Sequence, residues 1–123
     1  GDAGVLIGDN VHLGAGTYLF GSGGKITIGD RCSLSPRSTI YTASDDFREV
    51  GLIGPCNPLD ERNVIQGDVV MEEESALGHG AVMFPGSVLE RGSAAGAYVT
   101  VNGRFGWGQL VTRAHHNHFT ERK

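Results

Sequence analysis

Aliphatic side chains recur at every sixth residue through the second half of the chain: Met71, Leu77, Met83, Leu89, Ala95 and Val101. Two positions before each stands a small or β-branched residue, namely Val69, Ser75, Ala81, Ser87, Ser93 and Val99. An α-helix needs apolar spacing near 3.6 and a single half-buried strand needs strict alternation, so a period of six fits neither. It predicts a coil of short strands in which one aliphatic plug per face points inward, the pattern of a β-solenoid. Glycine follows the plug at Gly78 and Gly96 and is read as a corner residue, because it tolerates positive φ at no steric cost.

The same register opens the chain at Ile7-Gly8, Leu13-Gly14 and Leu19, and resumes at Ile28-Gly29, Leu34-Ser35 and Ile40. Val11, Thr17, Ile26, Cys32 and Ser38 fill the position two before the plug. The step from Leu19 to Ile28 is nine residues, and the extra three fall in Gly21-Ser22-Gly23-Gly24, a bulged surface corner. No helix start or lysine–hydroxyl pair follows these glycines, so a phosphate cradle is not expected there. Three hexads close one triangular turn. The chain then reads as a single all-β domain with N-terminal coils over 5–40, an excursion loop over 41–68 and C-terminal coils over 69–102. A helical or irregular tail is expected over 103–123. The loop carries Pro55, Pro58 and many polar groups, and a long loop thrown out of a compact repeat is commonly functional. So thin an aliphatic column leaves flat flanks that need neighbours, and a threefold homotrimer suits a triangular prism.

Composition narrows the classes. Twenty glycines in 123 residues suit many tight corners. A net charge of −4 argues against a nucleic-acid partner, which calls for a basic patch. No run of about 18 apolar residues and no secretory-signal pattern is visible, so no membrane span and a cytoplasmic location are expected. Cys32 and Cys56 do not make a disulfide framework, and Cys32, on a small-residue position, reads as a buried thiol. His115, His116 and His118 lack a second group to complete a tetrahedral site, and His12 and His79 fall far apart in the register, so no metal is expected. The acidic run Glu72-Glu73-Glu74 is placed on the outside as a solvated face.

The segments IGDNVHLGAG, IGDRCSLSPRSTIYTASDDF and LGHGAVMFPGSVLERGSAAGAYVTVN resemble the hexapeptide-repeat acyltransferases, the sugar O-acetyltransferases most of all. The resemblance covers about residues 5 to 112. It implies a left-handed parallel β-helix, against the usual right-handed crossover preference. It further implies acetyl-CoA as cosubstrate, a sugar or nucleotide-sugar acceptor acetylated on a hydroxyl or amine in polysaccharide biosynthesis, and a donor groove between neighbouring prisms. In such an enzyme a histidine acts as general base and corner N–H groups stabilise the oxyanion.

Carried over residue by residue, the resemblance is uneven. Many relatives place the histidine after a YT pair, where this chain reads Tyr41-Thr42-Ala43-Ser44-Asp45-Asp46. A subgroup that shares ASDD has it in a later segment, where this chain carries Gln66, and an amide has no useful proton affinity. The remaining candidates for the base are Asp45 or Asp46, with a carboxyl pKa raised by burial or mutual repulsion, and His79 in LGHG. Arg37, Ser44 and Gln66 are candidates for acceptor binding. Gly78, Ala97, Asn102 and Arg104 fall where relatives lay the pantetheine and the CoA phosphates. The alternative is a non-catalytic solenoid scaffold or CoA-binding subunit that lacks the catalytic histidine.

Overall fold

The computed structural model describes residues 4–45 and 64–112. Its strands are short because each hexad supplies only two to four residues of extended chain before the next corner. Successive strands pass to three parallel sheets in rotation. Face 1 stacks β1 (Gly4–Ile7), β4 (Lys25–Ile28), β9 (Val69–Met71), β12 (Val88–Leu89) and β15 (Arg104–Phe105). Face 2 stacks β2 (His12–Leu13), β5 (Ser33–Leu34), β10 (Ala76–Leu77), β13 (Ala94–Ala95) and β16 (Leu110–Val111). Face 3 stacks β3 (Tyr18–Phe20), β6 (Thr39–Tyr41), β11 (Val82–Met83) and β14 (Thr100–Val101).

The register places plug on plug. Ile28 pairs with Met71 and Met71 with Leu89 on face 1, Leu34 with Leu77 and Leu77 with Ala95 on face 2, and Ile40 with Met83 and Met83 with Val101 on face 3. All nine are at most 3 % exposed, as the period-six reading expects. Cys32 is buried as expected too, with its Sγ 3.1 Å from the Glu72 carbonyl oxygen. In the first coil Ile7 and Leu13 keep the register but are 41 % and 43 % exposed, because a described coil covers them on one side only.

The corners differ from the sequence reading in a specific way. Positive φ occurs three residues after the plug, not one: Arg31 and Glu74 on the edge between faces 1 and 2, Gly16, Arg37, Gly80 and Tyr98 on the edge between faces 2 and 3. A backbone bond closes most of these corners over four residues, as Ala81 N–H to Gly78 O at 3.1 Å. Positive φ at the third of four residues is the mark of a type II turn, and Phe84-Pro85-Gly86-Ser87 carries its proline–glycine signature. The glycines directly after the plug serve a different purpose. A Cβ on Gly14 would lie 2.5 Å from Pro36 N, and one on Gly29 2.8 Å from Glu73 N. At these two positions glycine permits coils to stack closely rather than permitting a turn.

The solenoid also runs further than expected. Leu89 pairs with Phe105, sixteen residues on, where Met71 pairs with Leu89, eighteen residues on. The turn is shortened by two at Asn102-Gly103, and β15 and β16 then extend faces 1 and 2. Residues 103–111 are therefore coil rather than tail; 113–123 lie outside the described residues.

Glu72-Glu73-Glu74 is on the outside, as expected, but is not merely solvated. Arg31 Nη2 lies 3.1 Å from Glu73 and 3.4 Å from Glu74, and Arg91 Nη2 lies 3.2 Å from Glu74, so arginines from the coils on either side clamp the run. The Arg31 hydrogen bond, and then that of Arg91, holds the Glu74 carboxyl below its ordinary value. A depressed folded-state value stabilises the fold above the unfolded value of about 4.3, and that contribution is lost as pH falls through the lower folded one. Acid unfolding of the Glu74→Gln variant should therefore show a shallower fall in stability below about pH 4.3 than the parent. Added salt should narrow the difference, because the cluster is exposed.

Candidate functional site

The excursion leaves the prism on the edge between faces 3 and 1, on a two-stranded antiparallel stem. Strand β7 (Ala43–Asp45) pairs with β8 (Val64–Gln66), Ala43 opposite Gln66, Ser44 opposite Ile65 and Asp45 opposite Val64. Thr42 anchors the stem to the core. Its buried hydroxyl donates to Phe20 O at 2.7 Å and accepts from Gly23 N–H at 3.0 Å, and its carbonyl accepts from Gly67 N–H at 3.0 Å.

The bulged glycine corner finds its purpose here. A Cβ on Gly23 would lie 2.6 Å from Ala43 Cβ, and one on Gly24 would lie 2.8 Å from Gly67 O. Asp68 closes the same junction, accepting from Lys25 N–H at 2.8 Å. The three extra residues between Leu19 and Ile28 thus form the seat on which the excursion enters and leaves. Sequence spacing located the bulge but not its partner, which is remote in the chain.

Ser44, Asp45 and Gln66 are accordingly brought together in the stem. Asp46 lies outside the described residues, as do Cys56 and the three tail histidines. A second group gathers on the edge between faces 2 and 3. Gly78 and His79 open the corner that ends at Ala81, Arg37 occupies the positive-φ position of the preceding coil, and Ala97 stands in the following one. His79 is half-buried, while Arg37 and Ala97 are exposed. Gly78 is held to glycine by contact: its Cβ would lie 2.6 Å from the Gly96 carbonyl carbon.

Asn102 is exposed on the edge between faces 3 and 1, two coils from the stem. Arg104 begins β15 on face 1 and is ion-paired with Glu90. Among the described residues, two clusters therefore flank face 3 on opposite edges. Among the described residues, no three histidine, cysteine, aspartate or glutamate side chains gather as a metal site.

Two features on these edges were not singled out from sequence. Tyr98, 60 % exposed, stands edge-on to His79 with ring centroids 5.4 Å apart. Phe20 and Tyr41 stack at 5.0 Å on the outer side of face 3, beside the root of the stem. The period of six would have located both, since Tyr98 falls at the corner position held by Gly80 one coil earlier and Phe20 and Tyr41 directly follow plugs.

No protein-family model matches the chain. It is 29 % identical over 101 residues, 82 % of its length, to a dTDP-4-amino-4,6-dideoxy-D-glucose acyltransferase of Escherichia coli, and spans 52 % of that relative. Among solved structures it resembles AntD, an N-acyltransferase from Bacillus cereus. One AntD complex, a variant with dTDP-4-amino-4,6-dideoxyglucose and coenzyme A, aligns at a TM-score of 0.81 and 30 % identity over 97 % of this chain and 64 % of that one. Another, with dTDP and 3-hydroxybutyryl-CoA, aligns at 0.82 and 32 % over 89 % of this chain and 58 % of that one. A hexapeptide-repeat acetyltransferase from Vibrio cholerae, at 0.73 and 23 % identity over 97 % of this chain and 63 % of that one, agrees in fold alone. The chain thus spans between half and two thirds of the length of these relatives. A solenoid of this register, aligned with AntD over 97 % of this chain, has the fold of the hexapeptide-repeat acyltransferases, a left-handed parallel β-helix, and is similar to them in sequence.

Proposed function

We propose that the chain transfers an acyl group from an acyl-CoA to the amino group of a nucleotide-linked amino sugar destined for a polysaccharide. The likeness to AntD across 97 % of the chain, in complexes with a dTDP-amino sugar and coenzyme A, carries this reading. It refines the O-acetyltransferase resemblance toward amine acylation and leaves the acyl chain open to acetyl or a longer group.

The missing histidines bear on the same choice. A hydroxyl acceptor needs a base as it attacks, whereas a neutral amine is already the nucleophile and need only shed a proton. In the proposed reaction the amine attacks the thioester carbonyl, corner N–H groups steady the oxyanion, and the C–S bond breaks as CoA thiolate leaves and takes up a proton. Ser44 and Gln66 hydrogen-bond the acceptor, Asp45 or Asp46 receives the ammonium proton, and His79 serves the donor side. Arg37 grips a phosphate of the nucleotide with its planar fork. Gly78 and Ala97 leave a corner without bulk for the pantetheine, and Asn102 and Arg104 lie toward the CoA phosphates. Arg104 is exposed in its pair with Glu90, so a phosphate can displace that partner at small cost.

The two clusters sit on opposite edges of one face, which supports a homotrimer in which one prism presents its edge between faces 2 and 3 to the stem of its neighbour. Both proposed substrates are charged and water-soluble, in keeping with a cytoplasmic setting, and among the described residues no helix is long and apolar enough to cross a membrane. Thiol release should be measured with acetyl-CoA and 3-hydroxybutyryl-CoA against dTDP-linked amino sugars and their hydroxyl counterparts. Amine-dependent release, together with a trimer by light scattering, is the expected result. A monomer, or release that ignores the amine, would overturn it. Gln66 in the place of the base favours the second reading, a CoA-binding subunit without turnover, which would show CoA binding by calorimetry and no thiol release.

A further inference from the structure

We infer that Tyr98 is a positioning residue that sets the orientation of the His79 imidazole, a role that rests on the acyl-transfer reading above. Tyr98 holds φ at +58°, in the left-handed region, at the third position of the corner Gly96–Val99. On the same edge that position is filled by Gly16, Arg37 and Gly80, of which glycine alone takes it without strain. An aromatic residue there is strained, and at 60 % exposure its ring gains little from burial.

What the ring does gain is a fixed place over the preceding corner. A Cβ on Gly80 would lie 2.6 Å from both Cδ1 and Cε1 of Tyr98, so Gly80 is the floor on which the ring rests. From there it meets His79 edge to face, with centroids 5.4 Å apart and planes at 77°. The backbone repeats the coupling, since Tyr98 N–H donates to the His79 carbonyl at 2.8 Å. Among the described residues no hydrogen bond reaches the imidazole, so the ring contact determines how it turns. An imidazole that must present one nitrogen to a reacting group loses rate when it rotates freely.

The test compares Tyr98→Phe, Tyr98→Leu and Tyr98→Gly with the unsubstituted protein. An edge-to-face pair of this kind corresponds to about a 3- to 10-fold change. Tyr98→Leu and Tyr98→Gly should lower kcat by about that factor with little change in KM for the acyl-CoA. Tyr98→Phe keeps the ring and should restore the rate. In NMR spectra the ring-current shift on the His79 ring protons should persist in Tyr98→Phe and vanish in Tyr98→Leu. Tyr98→Gly should unfold at the same temperature as the parent or higher, since it relieves the strained corner, and this separates the loss of rate from a loss of fold. In a His79→Ala background, Tyr98→Leu should cost nothing further. A rise in KM at constant kcat, an unchanged histidine signal, or full activity in Tyr98→Leu would each overturn the role. Absence of turnover in the unsubstituted protein would overturn the acyl-transfer reading and this role with it.

Discussion

Leu77→Ala should lower the free energy of unfolding by about 2–5 kcal/mol, the range seen when a buried leucine is truncated in a close-packed core. Leu77 is 1 % exposed and is paired with Leu34 on one side and Ala95 on the other. The core is a narrow column, and each plug is stacked between those of two neighbouring coils, so little can collapse into the gap. Ala95 already supplies the smallest plug on that face, so the lost volume would leave two small residues in succession. Leu13→Ala, in a position 43 % exposed, should cost far less. Urea unfolding at one fixed protein concentration checks the pair. Similar midpoints for the two variants would mean that the column of plugs is not what holds the coils together.

Gly78→Ala should cost about 1–3 kcal/mol or more by overpacking, although it adds a single methyl group. That methyl would lie 2.6 Å from the Gly96 carbonyl carbon and 2.7 Å from Ala97 N, and both are backbone. No side chain can swing aside, so the coil carrying Ala97 and Tyr98 has to move away from His79. Acyl transfer should therefore fall along with stability. Gly96→Ala is the control. Its nearest atom would be Val111 O at 3.5 Å, an ordinary contact, and its φ is not in the left-handed region. It should be neutral, or more stable by about 0.4–1 kcal/mol through the unfolded chain. Equal thermal midpoints for the two alanine variants would contradict the stacking account of these glycines.

The inward column was legible because a six-residue period constrains every coil alike: Ile28, Leu34, Ile40 and their successors are buried where spacing alone placed them. The bulge at Gly21–Gly24 and the excursion were legible as breaks in that period. Their junction was not, because Gly23 meets Ala43 across twenty residues of chain and Gly24 meets Gly67 across forty-three. The glycine after the plug was found correctly but explained by the wrong cause. Sequence shows that a residue is small, not whether a dihedral or a neighbour demands it. The end of the coils was placed too early, since a two-residue contraction at Asn102-Gly103 hides Phe105 and Val111 from a strict count of six.

By itself the sequence determined the solenoid, its plugs, the exit point of the loop and the chemical types available at the corners. All of these follow from local spacing and from the burial of aliphatic side chains, which act on every turn in the same way. Only the tertiary structure decided which corners share an edge. It divided the candidate residues between the two edges of face 3, clamped Glu74 between Arg31 and Arg91, and laid Tyr98 over Gly80 against His79. Those contacts join residues on neighbouring coils, and their geometry depends on how many residues each intervening corner inserts or omits.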